Sequence, residues 1–208
     1  VMAFIGVSIG ITFGIAISIS PLIYFLAKGY GIFGLCAALG VAGIYITIKY
    51  IPDIPYTLKD TQAPKESLST LTKIAFEEKN VIRLYFGAFL LHLLLTMTFA
   101  TLPSFFAKLD ISSAASAIYY TITFFISIII MFIFVGLAER FYKHRILFLF
   151  AIILLSISYL TLVLSSDATS NHWMMICSLV LFFCGFNIME ASQPSLMSRF
   201  ANKQYRGT

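Results

Sequence analysis

The chain has 208 residues, 60% of them hydrophobic and 11% charged, with a formal charge of +5. Soluble domains are about 45–50% apolar and about 25% charged, and a chain of this length cannot hide so large an excess in one globular core. That excludes a water-soluble enzyme, a nucleic-acid-binding domain and a disordered chain, and leaves an all-α integral membrane protein. Charged residues divide the sequence into uncharged runs at 1–27, 29–48, 84–107, 111–138, 146–166 and 168–189, each of 20 residues or more. About 20 apolar residues cross a bilayer as helix, and the alternating strands of about 10 residues that a β-barrel requires are absent. Six transmembrane helices are expected.

In the first span Gly6, Gly10 and Gly14 recur every four residues on one face, a pattern that lets helix backbones approach closely. Between the second and third spans lies a long charged segment with Pro52, Pro55 and Pro64. Within it Leu68, Leu71, Ile74 and Ala75 follow Ser67 at helical spacing, which predicts a short amphipathic helix on the membrane surface. A solvated tether is the simpler reading of such a segment, a regulatory latch the alternative.

The third span aligns Tyr85, His92, Thr96, Phe99 and Pro103 on one helical face. A stripe holding a His and a Thr is costly in hydrocarbon, so this face is expected to meet protein or water. On the fourth span Tyr119, Tyr120 and Thr123 are candidates to line a cavity, with an interfacial aromatic belt as the alternative. The sixth span puts Asn187, Glu190 and Pro194 on one face, with Gln193 adjacent. Glu190 is the single acidic residue inside a span region, about 13 Å in from Arg199. A carboxylate at that depth must be protonated or paired with a cation.

Cys36, Cys177 and Cys184 all sit in apolar runs and read as small buried hydrophobes. Cys177 and Cys184, about 10 Å apart on a helix, cannot bridge. No metal-ligand spacing occurs and no cofactor is implied. Lys and Arg number six in 49–83, three in 139–145 and three in 199–208, against Lys28 and Lys108 alone on the other side. This bias puts both ends of the chain in the cytoplasm.

The stretch VGLAERFYKHR at 135–145 resembles the loop signature of the major facilitator superfamily, a Gly-x-Leu-Ala-Asp-Arg-x-Gly-Arg pattern between two helices. Leu137, Ala138 and Arg140 match it, Glu139 replaces the Asp, and Val135 and Tyr142 stand where glycines are usual. MAFIGVSIGITFGIAISISPLI at 2–23 is similar to the fifth helix of the YajR-type branch of that superfamily. LHLLLTMTFATLP at 91–103 is similar to its seventh helix, and FNIMEASQPSLMSRFANKQYRGT at 186–208 to its tenth helix and following loop.

The resemblance implies a partial major facilitator fold, helices five to ten of twelve. Residues 1–48 would close the amino-terminal bundle, 49–83 form the cytoplasmic linker, and 84–208 supply the first four helices of the carboxy-terminal bundle. The partners so implied are the lipid bilayer, the missing helices of the same parent chain, protons and a small-molecule substrate, in a bacterial inner membrane. Ala16, Ser20 and Pro21 occupy places where antiporters of the superfamily carry Gly, Gly and Pro, and of these the Pro alone is kept.

The seventh helix of that architecture faces the central cavity, which makes His92 a candidate proton carrier, Thr96 and Phe99 candidate lining, and a neutral packed histidine the alternative. For Glu190 two roles stay open: proton exchange in the cavity beside Asn187 and Gln193, or a latch to Arg140 or Arg145 in the Glu139–Arg145 loop. The loop charges favour the latch. The function so implied is alternating-access transport, proton-coupled, with efflux of a small organic solute. A channel or an integral membrane enzyme are the rivals. The first would need a filter or re-entrant segment and the second a nucleophile–base set or HExxH motif, and neither occurs.

Overall fold

A computed structural model describes residues 2–52, 78–165 and 172–200. Among these residues the chain forms five helices: α1 (Met2–Tyr50), α2 (Lys79–Lys108), α3 (Ser113–Phe141), α4 (His144–Ser165) and α5 (His172–Phe200). Each is long and apolar enough to cross a membrane. Helix is the form these stretches must take in lipid, because it satisfies every backbone N–H and C=O within the segment.

Six transmembrane helices are expected; five continuous elements are found, the first of them two helices that meet at a break. The first two apolar runs continue as one element, α1, broken at Lys28, whose backbone is non-helical at φ 52° and ψ −150°. Lys28 alone separates those runs, and this one non-helical residue ends one helix and starts the next. At 49 residues α1 would measure about 73 Å as a straight rod, more than twice the hydrocarbon thickness. The surface helix expected at 67–79 and most of the linker lie outside the described residues.

Local signals set the remaining ends. Ser112 caps α3 by accepting a hydrogen bond from the Ala115 N–H at 3.2 Å. Tyr142 ends the same helix in the left-handed region, φ 54°. That conformation is the one glycine adopts freely, which accounts for the glycine the loop signature usually has at this place.

The core is built around α5, which packs against α1, α2, α3 and α4. Residues 182–193 of α5 are buried except for the half-buried Glu190. The α4–α5 contact requires Gly185, where a Cβ would come within 2.8 Å of the Ala151 carbonyl oxygen and the Leu155 side chain. Of the GxxxG glycines in α1, Gly14 makes the close contact, its backbone lying against the Phe124 ring, whereas Gly10 meets nothing within 4 Å.

Hydroxyl pairs join the helices where apolar packing gives no preference over lipid. Tyr159 donates to the Leu94 carbonyl at 2.9 Å and shares a 2.6 Å bond with Thr98. Ser158 donates to the Ser178 carbonyl at 2.8 Å, and Ser178 returns the bond at 3.1 Å. Cys184 is buried in this core as expected, but Cys36 and Cys177 are exposed on the apolar surface.

Candidate functional site

The antiparallel pairing of α2 with α5 brings together two candidates separated by almost a hundred residues. His92 Nε2 stands 3.7 Å from Glu190 Oε2. The other ring nitrogen, Nδ1, lies 2.9 Å from the Ala88 carbonyl oxygen one turn back in α2. A carbonyl can only accept, so Nδ1 carries the proton of that bond, and Nε2 of a neutral ring presents its lone pair to the carboxylate. Two acceptors then face each other unless a proton resides on one of them. At 3.7 Å the two groups are in ion-pair range when the ring carries a second proton, and are not hydrogen-bonded to each other.

Exposure divides the pair: the His92 side chain is 57% exposed and that of Glu190 13%. Phe186 forms an edge contact with the His92 ring at 6.3 Å between centroids. Beyond Glu190, the buried Gln193 amide nitrogen lies where a Cβ on Gly87 would approach within 3.3 Å. Among the described residues that nitrogen and the Ser192 hydroxyl oxygen have no hydrogen-bond partner.

Among the described residues Glu190 meets His92, not the Arg140 or Arg145 expected for a latch. Glu190 sits about 13 Å inside the end of α5 marked by Arg199, and the side chain it meets belongs to α2. Arg140 lies over the Phe141 ring at 5.7 Å, and Arg145 is exposed.

Two further candidates turn inward. Asn187 is buried, and its amide donates to the Ser127 hydroxyl at 2.7 Å, tying α5 to α3. Gln193 is buried at 3% exposure, so neither lines an open face. Thr96 is exposed beside His92 and donates to the His92 carbonyl at 2.9 Å.

Phe99, half-buried, belongs to an aromatic cluster with Phe13, Tyr120 and Phe183, at centroid distances of 5.7, 5.6 and 6.2 Å. Tyr119 and Tyr120 pack on Phe106 at 6.2 and 5.2 Å, a protein contact in place of an interfacial belt. Among the described residues no three His, Cys, Asp or Glu side chains come together as metal ligands.

The model of the Major Facilitator Superfamily matches residues 1–208. The chain belongs to the Major Facilitator Superfamily. It is 32% identical over 207 residues to the inner membrane transport protein YajR of Escherichia coli strain K12, with all of this chain and 44% of that protein covered. It is 29% identical over 209 residues to an uncharacterized transporter of Buchnera aphidicola subsp. Acyrthosiphon pisum, covering 52% of it. A further uncharacterized transporter, from Buchnera aphidicola subsp. Baizongia pistaciae, is 23% identical over 210 residues and is also covered to 52%. The chain spans about half the length of the curated relatives it matches.

In this superfamily member the loop between α3 and α4 does hold an ionic clasp, on residues other than those expected. Arg199, near the end of α5, donates from Nη2 to both Glu139 carboxylate oxygens, at 3.1 and 3.2 Å. Its Nη1 lies 3.0 Å from His144 Nε2. A guanidinium can only donate, so this imidazole nitrogen accepts. Glu139 was among the sequence candidates; His144 and Arg199 were not. Their signal was present as basic character at the two ends of adjacent spans, but it also served to set topology, and nothing in the spacing pairs position 139 with position 199.

Proposed function

We propose that this chain forms the middle helices of a secondary active transporter that moves a small organic solute out of the cell in exchange for protons. Residues 1–48 belong to the amino-terminal bundle, 49–83 to the cytoplasmic linker and 84–208 to the carboxy-terminal bundle, with both ends on the cytoplasmic side of a bacterial inner membrane. The two bundles alternate in exposing a site near the midplane. The family match and the transporters among the relatives support the general class. The observation that carries the coupling is the His92–Glu190 pair.

The mechanism follows from the placement of that pair. A proton arriving at the exposed imidazole passes to the half-buried carboxylate, or leaves it by the same route, as the bundles change their access. With the proton on Nε2 the two side chains form an ion pair; with the proton on Oε2 both are neutral. The neutral state costs less to enclose in a low-dielectric setting. Protonation of Glu190 thereby favours the conformation in which this region is shut from water. The open conformation favours release of the proton.

The test uses the full-length protein in liposomes carrying a pH gradient, with ethidium and Hoechst dyes as trial solutes. Glu190→Gln is expected to abolish gradient-driven accumulation while leaving solute counterflow without a gradient. His92→Gln is expected to slow both proton entry and accumulation. Gradient-driven accumulation unchanged in both variants overturns the assignment of the pair.

A further inference from the structure

At the opposite end of the helices from the Glu139–Arg199 clasp, a cavity of about 830 Å³ opens between the middle of α1 and the α2–α3 corner. Its volume lies in the range of about 300–1,000 Å³ usual for small-molecule sites. Leu22, Phe25 and Ile32 of α1 face Pro103 and Phe106 of α2 across it, with Tyr120 of α3 at one wall. The lining is hydrocarbon and aromatic for the most part, and Lys28 is the one charged residue in it.

Two observations single out Lys28. Its ammonium group has no carboxylate within ion-pair distance among the described residues, and its contact is the face of the Tyr24 ring at 5.5 Å. Its backbone also occupies a sparsely populated region, φ 52° and ψ −150°, that glycine enters without strain. Glycine at this break would relax the backbone, and Gly29 stands next to it. A lysine held there at a conformational cost keeps a cation at the mouth of an apolar chamber.

We propose that this cavity binds a single anionic amphiphile, with its head group against Lys28 and its hydrocarbon body along Pro103 and Phe106. The head group carries a carboxylate or a phosphate, which an unpaired ammonium attracts as a charge-assisted hydrogen-bond acceptor. The body replaces lipid or water against walls that gain nothing from a polar ligand. The ligand enters sideways from the bilayer or from the aqueous end, and both sources present the same chemistry. The proposal rests on the membrane setting of the chain and is independent of proton coupling at His92 and Glu190.

Native mass spectrometry of the full-length protein in detergent measures the binding directly. Phosphatidylglycerol, phosphatidylcholine and dodecanoate serve as separate probes. The wild type is expected to retain one phosphatidylglycerol or one dodecanoate at least about tenfold more tightly than phosphatidylcholine. Lys28→Gln is expected to remove that preference and Lys28→Arg to keep it. Ala107→Trp, which fills the chamber, should prevent binding of either anion.

Lys28→Gly provides the control for folding: it should raise thermal stability by relieving the backbone while losing the anionic preference. Binding of phosphatidylglycerol alone identifies a membrane lipid as the source, and binding of dodecanoate alone a free amphiphile; each supports the site. Equal retention of phosphatidylglycerol and phosphatidylcholine without selective binding of dodecanoate, or anionic binding unchanged in Lys28→Gln, overturns the proposal.

Discussion

Residues 182–193 of α5 and residues 33–50 of α1 are both helical and both belong to membrane spans, yet they have opposite surroundings. The α5 segment is enclosed by the other four helices and carries Asn187, Glu190, Ser192 and Gln193. The α1 segment is exposed at every position among the described residues, with large apolar side chains such as Phe33, Ile44 and Ile48. In a water-soluble protein these environments would be exchanged. In lipid, apolar surface gains little from burial against another helix, whereas polar side chains need protein partners. In α5 the polar Asn187, Ser192 and Gln193 are buried among neighbouring helices, whereas His92 and Thr96 of α2 are exposed.

The sharpest way to break this contrast is steric. Gly185→Val places side-chain atoms on the Ala151 carbonyl and Leu155. It is expected to cost about 3 kcal/mol in unfolding from mixed micelles, the upper part of the range for overpacking. Gly43→Ala, where nothing lies within 4 Å among the described residues, should leave the stability of this chain unchanged. Equal effects at the two sites would show that α1 is as tightly packed as α5.

A smaller effect is expected where the α5 polarity is partnered. Asn187→Ala removes the donor to Ser127 and leaves a gap between α3 and α5. The loss should be about 1 kcal/mol by the same unfolding measurement, because interhelical hydrogen bonds in membranes contribute modestly. A neutral result would mean that Asn187 finds water or another partner. The smallest effect belongs to the clasp. Arg199 and Glu139 are 48% and 44% exposed, so Arg199→Gln should destabilise by less than about 1 kcal/mol, and high salt should erase the difference.

Much of the fold is legible along the chain, because a few charges interrupt long apolar runs and mark the span ends within several residues. The exception is Lys28. One charged residue between two such runs signals a boundary, but whether the backbone leaves the helix for one residue or for a loop depends on local dihedral angles. The last helix also runs on to Phe200, past the polar residues that end its apolar run at 189, since enclosure by neighbours removes the need for those positions to be apolar.

The candidate site is legible as residue types and faces, not as pairs. Helical spacing places His92, Thr96 and Phe99 together, and the structure keeps His92 and Thr96 exposed while turning Phe99 into the aromatic cluster. Depth shows that Glu190 needs a proton or a cation. Its partner is His92 rather than a loop arginine, because α2 and α5 run antiparallel and their register sets position 92 beside position 190. The same register buries Gln193 against Gly87.

Taken alone, then, the order of residues determines that this chain lives in a bilayer as a set of helices, since each span satisfies its own backbone in a solvent that offers no hydrogen bonds. Tertiary structure decides which polar groups meet: Glu190 with His92, Asn187 with Ser127, and Arg199 with Glu139 and His144. The reason is that the rotation and sliding of one helix against another leave its internal hydrogen bonds unchanged. Only contact between neighbours fixes those two freedoms.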